Sequence, residues 1–285
     1  MTEKNRILIM GGSGFIGTHI YQELRSFYDC YGTFCSQQER YESNQVYSHF
    51  DATSGPIDLI LKEVAPTHII SCFAAPEPAY LQAHKDVIAY LEANTSVRLI
   101  YISSVVVFDG NQNYPSYEET VPSTVSAIGK RHLAVERLLR QLPAKRYSIA
   151  RLPLVLGVNA PMVVQLKQAI KHEAPFEVFP NIIVSVTTID KVCQQMHYII
   201  NRELHGIYHL ASEDLIHHDD LFYEIASALG DKMPIFKKVY SSNDDAYLAV
   251  LPKAKKLPKT YQITTTEVID ACTLFDEIST LKNIL

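Results

Sequence analysis

The sequence predicts a doubly wound α/β fold: a parallel sheet with helices on both faces, followed by a smaller C-terminal lobe. Three observations carry this prediction. Short apolar runs alternate with helix-length stretches through the first two-thirds of the chain, a glycine-rich segment joins the first run to the first helical stretch, and the rhythm loosens after Gly157. Strands joined through helix-length connections return on the same side of the sheet, which makes neighbours parallel and covers both faces.

Taken in order, residues 6–10 (RILIM) read as a buried strand and 17–27 as the helix that follows. Further strands are expected at 30–35, 45–50, 68–73, 99–103 and 148–156, because each is a short apolar run bounded by turn residues. Helices are expected between them at 57–64, 80–93 and 129–142. Beyond Gly157, helical patterns occupy 161–172, 188–201, 219–229 and 266–274, with one late strand at 206–211.

Composition narrows the function classes. With 285 residues, 47% hydrophobic and 20% charged, the chain can bury a large core. A net charge of −5 argues against nucleic acid as a partner. No run of apolar residues is long enough for a membrane span, so no membrane partner is expected. The polar residues 1–6 lead straight into the first strand, and a secretory signal is not expected. Cys30, Cys35, Cys72, Cys193 and Cys272 are scattered without metal or redox spacing, which reads as reduced thiols in a cytoplasmic protein.

The segment Gly11-Gly12-Ser13-Gly14-Phe15-Ile16-Gly17 carries the clearest chemistry. Glycines allow a tight turn, close approach of the backbone to a pyrophosphate, and close helix–strand packing. The helix that begins there offers free N–H groups and a partial positive charge to phosphates. The segment reads as a Rossmann-type dinucleotide site, with Gly11, Ser13, Gly14, Phe15, Ile16 and Gly17 as its cofactor-binding residues, the other reading being a tight turn that holds no ligand. NADP or NAD is the expected cofactor. The second strand ends in Gly32-Thr33-Phe34-Cys35-Ser36 with no carboxylate for ribose hydroxyls, and Arg40 is placed to meet a 2′-phosphate, which leans toward NADP. A solvated loop charge is the other reading of Arg40. Asp51, after the third strand, reads as an adenine-side contact or as a helix cap. Ala74 and Ala75, after the fourth strand, complete the expected cofactor contacts. The predicted division is 1–158 for the NAD(P)-binding domain, to which elements at about 187–211 return, and 159–285 for the smaller substrate-binding lobe.

The G-x-x-G-x-x-G spacing resembles that of extended short-chain dehydrogenases, and longer stretches are similar to the dTDP-4-dehydrorhamnose reductase family. These are Tyr101-Ile102-Ser103-Ser104 through Phe108-Asp109-Gly110, Tyr117-Glu118-Glu119 with Pro122, Leu133-Ala134-Val135-Glu136, Arg151-Leu152-Pro153, and Gly206 through Ala211. The resemblance spans nearly the whole chain and implies a nucleotide-sugar site beside the cofactor. It also implies hydride transfer to a 4-keto sugar, with a Ser/Thr holding the carbonyl, a Tyr protonating the alkoxide, and a Lys four residues later. Ser104 fills the first position. Ile128 stands at the Tyr position and His132 at the Lys position. No relocated pair exists: none of the 17 tyrosines has a lysine four residues on.

A hydrocarbon at the acid position has a direct cost, because general acid catalysis contributes about 10²–10⁴-fold. His132 is read either as a ribose contact, with a cationic imidazole partly replacing the lysine charge, or as a solvent-facing helix residue. The connection at 76–98 is also shorter than the family's.

Two readings follow. The first is an NAD(P)-binding relative of nucleotide-sugar 4-keto reductases that lacks the usual Tyr/Lys chemistry. The second is an active nucleotide-sugar reductase, epimerase or dehydratase with a substitute acid such as Tyr117, Glu118 or Glu119. A nucleotide-sugar-like small molecule, a homodimer and a regulatory partner protein are compatible with the first. Lys253, Lys255, Lys256 and Lys259 form a basic loop, read as solvated or as a diphosphate contact. His217, His218, Asp219 and Asp220 adjoin at a helix start and do not make a metal site, so no metal is expected.

Overall fold

The computed structural model describes residues 5–36, 38–41, 43–240 and 243–273. In chain order the first elements are β1 (Arg6–Met10), α1 (Phe15–Leu24), β2 (Asp29–Phe34), α2 (Gln38–Tyr41), β3 (Tyr47–His49), α3 (Asp58–Val64), β4 (His68–Ser71), α4 (Glu77–Ala93), β5 (Arg98–Ser104), α5 (Ala127–Leu139) and β6 (Tyr147–Leu152). Then follow β7 (Leu154–Leu156), α6 (Pro161–His172), β8 (Pro175–Val178), β9 (Ile182–Val184), β10 (Val186–Thr188), α7 (Ile189–Asn201) and β11 (Gly206–His209). The last elements are β12 (Ile216–His217), α8 (His218–Leu229), β13 (Ile235–Lys238), β14 (Ala246–Leu248) and α9 (Thr265–Ala271).

Seven strands form the parallel central sheet in the order β11-β6-β5-β4-β1-β2-β3. β1 lies near its middle and pairs in parallel with both β2 and β4, Ile9 facing Gly32 on one side and Ile70 on the other. Its residues Ile7, Leu8, Ile9 and Met10 are wholly buried, as a strand covered on both faces requires. Helices α3, α4 and α5 cover one face, where Leu61, Val87, Leu91, Val135 and Leu139 pack with Leu8, Met10, Ile69 and Leu99. Burying each such side chain contributes roughly 1.5–3 kcal/mol.

The chain divides into two compact units. One holds the residues up to Val107, Val125–Ala150 and Cys193–Tyr208; the other holds Phe108–Thr124, Arg151–Val192 and the described residues from His209 onward. Where the chain passes from the first unit into the second, the predicted single strand at 148–156 is two strands. Pro153, which has no N–H to donate, separates β6 from β7, and β7 pairs with β10 instead of extending the main sheet. Two further small sheets, β12-β9-β14 and β13-β8, complete that unit. The last predicted helix begins one residue early, at Thr265, where Thr264 and Glu267 form a reciprocal cap; Leu274 lies outside the described residues.

Candidate functional site

The glycine segment is held in shape by backbone geometry that side chains would spoil. Gly11 adopts φ +84°, and a Cβ there would lie 2.7 Å from the Phe73 Cα. A Cβ on Gly17 would lie 2.1 Å from the Gly11 carbonyl oxygen, so the helix can press against the loop only with glycine at this position. Thr33, at the end of β2, fastens the loop: its hydroxyl accepts the Gly11 N–H at 2.9 Å and its carbonyl accepts the Ser13 N–H at 3.2 Å. The Thr18 hydroxyl donates to the Gly12 carbonyl at 3.0 Å. Gly14 is the N-cap of α1, and no side chain caps this end. Its first N–H groups therefore face outward with the positive end of the helix dipole.

A cavity of about 360 Å³ opens over this cradle. Its walls come from four consecutive C-terminal strand ends: Gly11, Ser13 and Gly14 after β1; Thr33 to Ser36 at β2; Phe50, Asp51 and Ala52 after β3; and Cys72 to Pro76 after β4. The strand order reverses between β1 and β4, the position where open α/β sheets leave a crevice for ligands. A cradle that a Cβ would fill, beside a helix start without a side-chain cap, fits a pyrophosphate.

Of the residues singled out from sequence, Gly11, Ser13, Gly14, Asp51, Ala74 and Ala75 line this cavity. Phe15, Ile16 and Gly17 form the first turn of α1 and can contribute backbone there. Arg40 is exposed, absent from the walls, and lies 5.6 Å from the centre of the buried Tyr41 ring. Asp51 is engaged in its own turn: one carboxylate oxygen accepts the Thr53 hydroxyl at 2.7 Å and N–H at 2.9 Å, the other the Ser54 hydroxyl at 2.9 Å. The Thr53 hydroxyl and N–H bonds, and then the Ser54 bond, hold this carboxyl below its usual range. Thr33, Phe34, Phe50, Cys72 and Phe73 were not singled out, although each sits near the end of a predicted strand, where the crevice rule alone would have found it; Pro76, also in the wall, follows three residues after the predicted strand at 68–73. The Cys72 thiol donates to the Met10 carbonyl at 3.2 Å, and burial pushes it up to about 12, so it stays protonated.

Ser104 closes β5, half-buried, and its oxygen accepts the Val106 N–H at 3.4 Å. α5 starts after Ser126, whose side chain accepts the Gly129 N–H at 3.0 Å. This cap places Ile128 in the exposed first turn, with 55% of its surface open to solvent.

His132, one turn later, is neither a cation nor a solvent-facing residue. Its Nδ1 lies 2.7 Å from the Tyr101 hydroxyl, which lies 2.8 Å from the Tyr80 hydroxyl. Burial, with a smaller contribution from the neighbouring Arg131 charge, depresses His132 to about 4, so the imidazole is neutral at pH 7. The expected cationic stand-in for lysine is thereby corrected. Arg131 itself donates to the Ala75 carbonyl at 2.8 Å and lies 4.6 Å from the centre of the Tyr80 ring, tying α5 to the wall after β4.

In the second unit, Glu118 is buried and accepts backbone N–H groups of Lys253 at 3.1 Å, Ala254 at 3.1 Å and Lys255 at 3.4 Å. Its carboxylate holds the basic loop in place, which commits both oxygens and removes it from the substitute acids. Lys253 places its ammonium 4.9 Å from the centre of the Tyr117 ring.

Residues 5–268 match the RmlD substrate binding domain family. The chain belongs to that family. No curated protein sequence matches it. Among solved structures, dTDP-4-dehydrorhamnose reductase from Bacillus anthracis, in complex with NADP, is similar with a TM-score of 0.77 and 20% identity, over 97% of this chain and 99% of that one. The Bordetella bronchiseptica enzyme WbmG, in complex with NAD, is similar with a TM-score of 0.78 and 15% identity, over 97% and 95%. dTDP-glucose 4,6-dehydratase from Bacillus anthracis, in complex with NAD, has a TM-score of 0.76 and 13% identity, over 96% and 97%. At these identities the likeness shows the fold alone, a Rossmann-like α/β arrangement.

Proposed function

We propose that this member of the RmlD substrate binding domain family binds an NAD(P)-type dinucleotide, and with it a nucleotide-sugar-like molecule, without the Tyr/Lys ketoreduction of its relatives. The pyrophosphate would lie on the N–H groups of Ser13 to Ile16, with Ala74 and Ala75 toward the nicotinamide side and the adenosine beside Ser36 and Asp51. The neighbours that carry NADP or NAD in their structures support a dinucleotide of either kind. An absent carboxylate at the end of β2 supports NADP.

One observation carries the loss of ordinary reduction: Ile128, an exposed hydrocarbon, stands where the resemblance requires a phenol, and the residue at the lysine position is uncharged. Hydride transfer to a ketone makes an alkoxide that needs a proton, and Ile128 has none to give. Ser104 can hold a carbonyl oxygen but keeps its own proton near neutral pH. No helix among the described residues is long and apolar enough to cross a membrane.

The test is paired. NADPH and NADH are titrated by fluorescence, and oxidation of the reduced cofactor is then followed with a panel of 4-keto nucleotide sugars. Saturable binding without turnover is expected, with turnover appearing in the Ile128→Tyr, His132→Lys double variant. Turnover by the wild-type chain that survives Ile128→Ala overturns the reading in favour of a substitute acid.

A further inference from the structure

Resting on the reading that a dinucleotide lies over the glycine loop, we infer that Tyr101, held by Tyr80, is a positioning residue that locks His132 in the tautomer with its proton on Nε2. Three elements supply the chain: Tyr80 from α4, Tyr101 from β5 and His132 from α5. Both phenols are buried, Tyr80 at 2% and Tyr101 at 0% exposure. A buried hydroxyl has one proton, and that proton needs an acceptor.

Counting acceptors fixes the direction of the chain. The Tyr80 hydroxyl bonds to Tyr101; of the polar groups packed on its ring, Arg131 offers only donors, and both nitrogens of His84 are engaged, Nδ1 with the Tyr80 carbonyl at 2.8 Å and Nε2 with the Ser71 hydroxyl at 2.8 Å. Tyr80 therefore donates to Tyr101, and Tyr101 donates to His132 Nδ1. The opposite direction would leave the Tyr80 proton buried without an acceptor. A histidine whose Nδ1 accepts carries its proton on Nε2.

The chain orients a donor and does not supply protons. Burial pushes Tyr80 up to about 12 and Tyr101 well above its ordinary value, so neither phenol gives up its proton near neutrality. The charged groups facing His132 are the Arg131 guanidinium and the Glu136 carboxylate, and the latter accepts the Ser103 hydroxyl at 2.6 Å. A ligand that reached Nε2 would meet an uncharged N–H, which suits a hydroxyl or amide oxygen, such as a ribose hydroxyl or a carboxamide, and not a phosphate.

Long-range ¹H–¹⁵N spectra of ¹⁵N-labelled protein at pH 7 read the tautomer directly, with His132 identified by the signal lost in His132→Gln. The expected pattern is an unprotonated Nδ1 and a protonated Nε2. It should persist in Tyr80→Phe, where Tyr101 still has only His132 to donate to, and relax to a mixture in Tyr101→Phe. A protonated Nδ1 in the wild-type chain overturns the inference even if Tyr101→Phe does not fold, as does an unchanged pattern in a folded Tyr101→Phe. In a parallel NADPH titration, Tyr101→Phe should bind about five- to tenfold more weakly, the loss of one well-placed hydrogen bond. Failure of the wild-type chain to bind either dinucleotide defeats the functional reading alone, since the spectra report the tautomer without ligand.

Discussion

Replacing Gly17 by alanine sets two physical effects against each other, and the structure decides which is larger. Gly17 lies inside α1, where alanine is favoured over glycine by about 1 kcal/mol through backbone entropy. On propensity alone the variant would be more stable. The added Cβ, however, would stand 2.1 Å from the Gly11 carbonyl oxygen and 2.8 Å from both the Gly11 carbonyl carbon and the Gly12 Cα. These are backbone atoms, and Gly11 is itself fixed by the Thr33 hydroxyl and by close approach to Phe73. Relief requires α1 to move away from the loop by about an ångström, an overpacking strain of about 3 kcal/mol, at the top of the usual range. The net expectation is a loss of about 1–3 kcal/mol in urea unfolding, together with at least tenfold weaker NADPH binding as the helix N-terminus leaves the pyrophosphate position. Gly14→Ala is the internal comparison. Its Cβ meets only the Gly11 oxygen at 3.3 Å, so the cost should stay below about 1 kcal/mol, that of a poorer N-cap. A Gly17→Ala protein as stable as the wild type, with undiminished cofactor affinity, would refute the packing argument.

Three further outcomes are expected. His68, His84, His132 and His218 are all depressed to about 4, chiefly by burial, so between that value and 6.5 the unfolded chain binds protons that the folded one does not. Stability is therefore complete above about pH 6.5 and falls as the pH drops, by about 2 kcal/mol per histidine at pH 5; equal urea midpoints at pH 7.5 and pH 5 would contradict this. Thr33→Val keeps the shape of a side chain that is 2% exposed but removes the acceptor for Gly11, and should cost about 1–2 kcal/mol and weaken the dinucleotide in the same titration. Glu118→Gln turns an amide donor toward the N–H groups of residues 253–255, and should cost about 2–3 kcal/mol while opening Lys253 and Lys255 to trypsin.

The central sheet could be read from sequence because its signals are local and strong. RILIM is apolar without alternation, which only a strand covered on both faces tolerates, and β1 occupies residues 6–10 as expected. The second unit was far less readable. β8 to β10 and β12 to β14 are two to four residues long, too short for a period to emerge, and are made strands by partners distant in the chain. The 148–156 run shows the converse. Its apolar pattern continues through Pro153, yet the missing donor there ends one ladder and lets Leu154 to Leu156 pair with Val186 to Thr188 instead. Hydrophobicity predicted burial correctly, but strand partners are fixed by hydrogen bonding.

The same distinction governs the site. The glycine spacing announces a turn whose demands are steric and local, so the cradle could be found from seven residues. Position 132 could not be interpreted in this way, because an imidazole takes its charge and tautomer from whatever surrounds it. Sequence places His132 one turn after Ile128, but Tyr101 and Tyr80 reach it from a strand 31 residues away and a helix further back. Lysine at such a position would be charged in nearly any setting that solvent reaches. Histidine is charged only where burial does not forbid it, and here burial does. On the proposed reading, position 132 therefore carries a neutral imidazole where the resemblance implies a cation. On that reading, a tyrosine placed at 128 alone would supply a phenol without the positive charge that lowers its pKa. For that reason Ile128→Tyr by itself should stay inactive, and only the pair with His132→Lys should turn over.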